Sequence, residues 1–476
     1  MIIKEFIIYF LAFVDFSIFY LYLAVAKNKS LWVLPFTLFN TFFLIEYPIK
    51  AIYLANILFF GFKFANRSLV QVKIPYSYDN LLIAFLYSTI FYLIFNIITI
   101  HFLKYAKKVD IKDLIQKSEF KLKNLTITLW LIVLLVFMVK LIYINIFYGF
   151  GNTNKYNFFE IMVSNLSDLE YLTIFLLLVL YKIYNDKKYL FMSLFLIFIV
   201  IFAMIISTSK APLIILMIIL ILYLDIFRIK VSKKTLLLLS LLVLGIFADF
   251  FYSYGVRKYG LIFGNNISIN SVYYNFNLII HNFNRININI ISTFLNRISW
   301  LDNLIYLMKR TGHFNKSFFA FGSFVGVLDL IPRFVWHNRP NFKLSYFIVR
   351  VIQGEGLKNV SSNFGRIGES FLILEYGGII FAIINSVLFF FIYHEILQRA
   401  IYRTGSLFLF ILYFEIYFSY FIGDNYIFQN FVNIFYSSIF LWLLVSLMPN
   451  KRIVLNFKIV KYSPKTGLRS KAYDKL

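Results

Sequence analysis

The chain has no cysteine, and only 22 of its 476 residues are acidic. The first absence rules out disulfides, thiolate nucleophiles and thiolate metal sites, and leaves the redox compartment open. Also missing are a Walker A lysine loop, a dinucleotide fingerprint, an HExxH zinc pair and an Asp-rich motif of the kind that holds Mg²⁺ on a nucleotide sugar. ATP-driven transport and nucleotide-sugar chemistry on the cytoplasmic side are therefore poorly supported. Charge of either sign is scarce, at 14%. No ordinary soluble domain has that composition.

What is present is apolar sequence: 61% hydrophobic residues and a mean hydropathy of +0.78. Runs of roughly 17–25 apolar residues cross a hydrocarbon core as helices, because a helix satisfies its own backbone polar groups. We read about twelve such spans, at 4–26, 31–47, 50–65, 81–103, 125–148, 167–184, 189–208, 211–227, 235–253, 371–393, 404–422 and 427–447. The fold expected is an all-α polytopic membrane protein in four parts. Residues 1–253 form a bundle of about nine helices, 254–370 a long extracytoplasmic loop with short or re-entrant helices, 371–448 about three more spans, and 449–476 a basic cytoplasmic tail. The first apolar run lacks a basic leader and a small-residue cleavage site, so it reads as a permanent span.

The net charge of +25 sits in connections between spans, which points to membrane topology and away from nucleic acid. Seven lysines at 104–124 and eight Lys and Arg at 450–476 mark those segments as cytoplasmic. The connections with Lys182, Lys187 and Lys188, with Arg228, Lys230, Lys233 and Lys234, and with Arg399 and Arg403 agree. The first 65 residues conflict. An inside N-terminus puts Lys27 and Lys29 outside, whereas an outside N-terminus requires that one of the next two short runs not cross. The reading preferred from sequence is twelve spans with both ends inside.

The segment 254–370 carries thirteen Lys and Arg against four acids, and three of the five histidines. Lipid-facing scaffold does not gather cations in this way, so anionic-substrate chemistry is expected there, beside the membrane. Three constellations stand out. In Ser207-Thr208-Ser209-Lys210-Ala211-Pro212, Lys210 either meets a phosphate at a helix start or snorkels to the interface. In Tyr254-Gly255-Val256-Arg257-Lys258-Tyr259-Gly260, Arg257 either grips a phosphate in two-pronged fashion or anchors the chain at the interface.

The third runs Ile331-Pro332-Arg333-Phe334-Val335-Trp336-His337-Asn338-Arg339-Pro340, then Ser361-Ser362-Asn363-Phe364-Gly365-Arg366-Ile367-Gly368-Glu369-Ser370 and Tyr376-Gly377-Gly378. Two prolines stiffen a stretch holding an imidazole, two guanidiniums and an aromatic face suited to a sugar ring. Glu369 stands at the mouth of the next span as a base or as the partner of Arg366. The plain alternative is a structured loop with an Arg366–Glu369 salt bridge.

At these residues the chain resembles the Wzy-type O-antigen and oligosaccharide repeat-unit polymerases, relatives of the O-antigen ligases with a GT-C-like architecture. Three features carry it: the Ser-Thr-Ser-Lys knot, the Pro332–Pro340 element, and Ile367-Gly368-Glu369 followed by Tyr376-Gly377-Gly378. Lys210 stands where the family usually has arginine, which leaves a point charge in place of a two-pronged clamp.

The resemblance implies transfer of a glycan from undecaprenyl diphosphate to the non-reducing end of another lipid-linked repeat unit. The reaction would take place at the outer face of a bacterial cytoplasmic membrane, with no cofactor or metal. Lys210, Arg257, Arg333, Arg339 and Arg366 are the expected diphosphate binders, Trp336 a sugar platform, and Glu369 or His337 the base. A chain-length regulator is a possible partner beside the lipid substrate and the bilayer. A lipid-linked oligosaccharide flippase and an O-antigen ligase-type transferase are the competing readings.

Overall fold

The computed structural model describes residues 2–27, 29–60, 77–109, 112–142, 169–207, 211–229, 300–310, 365–421 and 427–447, and these are almost entirely helical, with no strand among them. Among the described residues, five helices are long and apolar enough to cross a membrane: Ile3–Ala26, Pro35–Phe59, Tyr78–Leu103, Lys121–Leu141 and Gly365–Thr404. The chain is a helical membrane protein.

In chain order the helices are α1 (Ile2–Ala26), α2 (Pro35–Leu44), α3 (Lys50–Phe60), α4 (Tyr78–Leu103), α5 (Lys112–Ile142), α6 (Leu169–Tyr184) and α7 (Lys187–Ser207). They continue with α8 (Ala211–Ile226), α9 (Trp300–Arg310), α10 (Gly365–Leu374), α11 (Ile380–Phe391), α12 (Leu407–Phe421) and α13 (Ile427–Leu447). Local chemistry sets several of the ends. Ser77 caps α4, its hydroxyl accepting the Asn80 N–H at 3.2 Å. Pro35 opens α2, where its missing N–H costs nothing.

The two runs expected at 31–47 and 50–65 form one continuous helical stretch, Pro35–Phe59, long and apolar enough for a single crossing. A wide turn, Ile45–Ile49, carries Pro48 and joins α2 to α3 without ending the helix. Proline removes one backbone donor, and a local widening of the helix relieves the clash of its ring with the preceding turn. Lys50 therefore lies inside the span, about 22 Å along the axis from Pro35 and about 14 Å from Phe59 at 1.5 Å per residue.

That merger reverses the start of the chain. Lys4 pairs with Asp79, and Thr89 donates to Asp15 at 3.1 Å, so α1 and α4 run parallel. Tyr22 meets Thr37 at 2.6 Å and Tyr9 meets Asn56 at 2.9 Å, so α2–α3 runs antiparallel to α1. Lys29 donates to the Ala106 carbonyl, which brings Lys27 and Lys29 to the end of the bundle that holds Lys104, Lys107 and Lys108. Tyr402 donates to the Lys108 carbonyl, so Arg399 and Arg403 join them. The N-terminus lies at the opposite end. The twelve-span reading placed it with these cations; one continuous helical stretch at 35–59 in place of two runs puts them at opposite ends of the bundle.

The core is aromatic and aliphatic. Phe36, Phe39, Phe95 and Phe389 join α2, α4 and α11 at centroid separations of 4.2–6.1 Å. Helix α6 is apolar on every face from Ile174 to Leu180 and is buried among α5, α7, α8 and α12, as a helix without a polar face requires.

Candidate functional site: two buried ion pairs around α9 and α10

Helix α10 begins at Gly365, whose φ of +62° puts it in the left-handed region. The Trp300 ring lies against it: a Cβ at this position would stand 2.5 Å from Trp300 Cδ2 and Cε3. Only glycine meets both demands. Past the end of the helix, Gly378 closes against the Ser370 carbonyl and the Tyr87 hydroxyl, so the 3₁₀ stretch Glu375–Ile379 folds tightly under α10.

This start places Arg366 and Glu369 on one face, three residues apart. Arg366 Nη1 lies 3.4 Å from Glu369 Oε2, with the two side chains 13% and 4% exposed. The Tyr87 hydroxyl lies 3.3 Å from Ser370 Oγ and donates to the Glu375 carbonyl at 3.3 Å. Edge-on contacts among Tyr87, Phe371 and Tyr376, at 5.3–6.2 Å between centroids, wall the polar groups off with ring surface.

The second pair lies beneath. Lys50 Nζ sits 2.9 Å from Asp302 Oδ2, with 1% and 7% of the side chains exposed. Lys50 also stands over the Tyr53 ring at 5.5 Å. The Trp300 N–H donates to Glu46 Oε2 at 3.2 Å, which ties an unsatisfied donor in the first turn of α9 to the wide turn of the second span. Leu301, Leu304, Ile305 and Leu307 are buried, with α9 packed on α4 and α10.

Part of the segment expected as an external loop is therefore embedded in the bundle. Trp300–Arg310 inserts because it presents an apolar face and brings one carboxylate to meet a lysine already committed to the interior. Residues 365–370 belong to α10, so that crossing starts six residues before the expected 371. The apolar patches at 276–295 and 318–331 lie outside the described residues.

Of the residues singled out from sequence, Arg366 and Glu369 are brought together. Lys210, Arg257, Arg333, Trp336, His337 and Arg339 lie outside the described residues. Sequence reasoning missed Glu46, Lys50, Tyr87, Trp300 and Asp302. A signal for Lys50 existed in the 25-residue stretch Pro35–Phe59, which is one full crossing if Pro48 is tolerated. Asp302 is one of only four acids in a strongly basic segment, and it is followed by leucines at helical spacing.

Chemically, the arrangement holds two cations, each opposed by a carboxylate, where hydrocarbon would otherwise surround them. A charge in that setting is tolerated only when paired. A carboxylate held by a guanidinium is freed as a base when a competing anion draws the guanidinium away. No protein-family model, no curated protein and no solved structure matches the chain.

Proposed function

We propose that the protein polymerises lipid-linked oligosaccharide repeat units. It would transfer a glycan from undecaprenyl diphosphate to the non-reducing end of another lipid-linked unit, at the outer face of the cytoplasmic membrane. The observation that supports this is the buried Arg366–Glu369 pair at the start of α10, at the end of the bundle opposite Lys104–Lys108 and Arg399–Arg403. If the basic end is cytoplasmic, the pair faces outward.

In this reading the lipid diphosphate competes with Glu369 for Arg366. The acceptor hydroxyl gives its proton to the base, Glu369 or His337, and its oxygen attacks the anomeric carbon. The bond from that carbon to the diphosphate oxygen breaks, and the charge left on the lipid diphosphate is taken up by guanidinium and ammonium groups. Arg366 serves as one such group. Lys210, Arg257, Arg333 and Arg339, with Trp336 beneath the sugar, are assigned by the sequence and the resemblance alone. These groups supply proton transfer and charge without a cofactor.

The test is purified protein in nanodiscs with a lipid diphosphate-linked repeat unit, without nucleotide or added metal. A ladder of products with release of free lipid diphosphate is expected. Glu369→Gln should lower the rate about 10²–10⁴-fold at unchanged folding if Glu369 is the base. A wild-type-like rate would pass that role to His337.

A specific observation favours a second reading. Lys50–Asp302 puts charge inside the bundle, as a lipid-linked oligosaccharide flippase would need. Movement of the lipid across a proteoliposome membrane without ladder formation would select it.

A further inference from the structure

Away from the site, α1 carries a carboxylate with no counter-charge among the described residues. Asp15 is fully buried at mid-helix, facing α4. Its Oδ2 accepts from the Thr89 hydroxyl at 3.1 Å, and its Oδ1 is buried without a hydrogen-bond partner among the described residues. No ion pair reaches it among those residues, whereas the interior Lys50 is committed to Asp302.

The groups that face it are hydroxyls. Tyr92 of α4, three residues on from Thr89 and so on the same helix face, is buried, and Tyr22 lies further along α1, bonded to Thr37 of α2. Tyr47, in the wide turn, is joined to Tyr92 through Phe43, whose ring stacks on both. From α3, Asn56 reaches Tyr9 and not Asp15. The nearest charged residue on α1 is Glu5, ten positions and about 15 Å away along the axis.

A bare carboxylate at this depth is prohibitively costly, and a divalent ion would leave a net positive charge in its place. One positive charge neutralises the site. Oxygen ligands without a nitrogen or sulfur donor suit a hard cation. We propose that Asp15, Thr89 and Tyr92 form a monovalent-cation site within the membrane, occupied by a proton or by Na⁺. The second oxygen of Asp15 holds the ion, while Thr89 fixes the carboxyl plane by donating to the first.

Infrared difference spectroscopy of the whole protein in nanodiscs tests this, comparing wild type with Asp15→Asn in choline and in Na⁺ buffers. A carboxylic-acid carbonyl band present in choline and absent from Asp15→Asn is expected. If the ion is a proton, the band persists in Na⁺. If the site accepts Na⁺, the acid band gives way to a carboxylate band as Na⁺ rises. Thr89→Val keeps the carboxyl and removes its donor, so it must shift the Asp15 band, and it serves should Asp15→Asn fail to fold. A carboxylate signature in choline with no response to Na⁺, or a Thr89→Val spectrum identical to wild type, overturns the proposal.

Discussion

The two ends of the bundle handle charge in opposite ways. At the basic end, lysines and arginines stay largely in solvent, and the contacts that fix the turns run mainly from neutral side chains to backbone carbonyls. Tyr413 and Tyr417 donate to the carbonyls of Val33 and Trp32, Tyr393 and Gln398 donate to Lys107 O at 2.7 and 3.1 Å, and the Trp32 N–H is taken by Asp225 at 2.9 Å. Phenol groups at a membrane boundary keep an apolar body in the bundle and a polar tip on the backbone of the loop. Toward the other end and into the interior, Lys50–Asp302 and Arg366–Glu369 are buried. The first end anchors; the second keeps charge where charge is costly, which is where function is to be sought.

The comparison breaks most visibly at Lys50. Removing one partner of a buried pair leaves the other uncompensated, at a cost of about 3–5 kcal/mol. Lys50→Ala or Asp302→Ala should therefore release α9, read as a lowered unfolding temperature and new proteolysis near Arg310. The charge exchange Lys50→Asp with Asp302→Lys should recover part of the loss, and no recovery would show that the pair is not the clamp.

Next in size is Gly365→Ala. A left-handed backbone costs an L-residue about 1–2 kcal/mol, and the new methyl meets the Trp300 ring, adding about 1–3 kcal/mol of overpacking. Trp300→Ala in the same chain should remove the second cost and leave the first, which a two-by-two set of unfolding measurements separates.

At the anchoring end, Tyr413→Phe leaves the Val33 carbonyl without its donor, and about 1–3 kcal/mol is expected. An effect as large as that of Lys50→Ala would erase the distinction between the ends. The smallest effect is expected at Lys4. Its pair with Asp79 has side chains 42% and 64% exposed, so Lys4→Ala should cost under about 1 kcal/mol and less in high salt.

Of the candidate site, the Arg366–Glu369 pair was legible because it is local. Glycine before arginine, with a glutamate three residues on, specifies a helix start with paired charges. The Arg366–Glu369 bridge follows from helical spacing whatever surrounds it. Lys50 was legible only as a boundary, since a proline and a lysine in succession read as the end of one span and the start of another.

The partner of Lys50 is 252 positions away, in a helix that sequence left inside a loop. An amphipathic stretch of eleven residues is too short to announce a crossing, and nothing in its own composition says what it packs against.

By itself, then, the sequence determined the class, a helical membrane protein, through run length and hydropathy. It also determined the charge asymmetry of the connections and the adjacency of Arg366 and Glu369. Tertiary structure alone decided that 35–59 is one continuous helical stretch, that α1 runs parallel to α4, that α9 enters the bundle, and that Asp15 has a hydroxyl and, among the described residues, no cation beside it. The division is physical. Helix formation and membrane partition depend on neighbours within a few turns, whereas the pairing of buried charges depends on which distant helices share a wall.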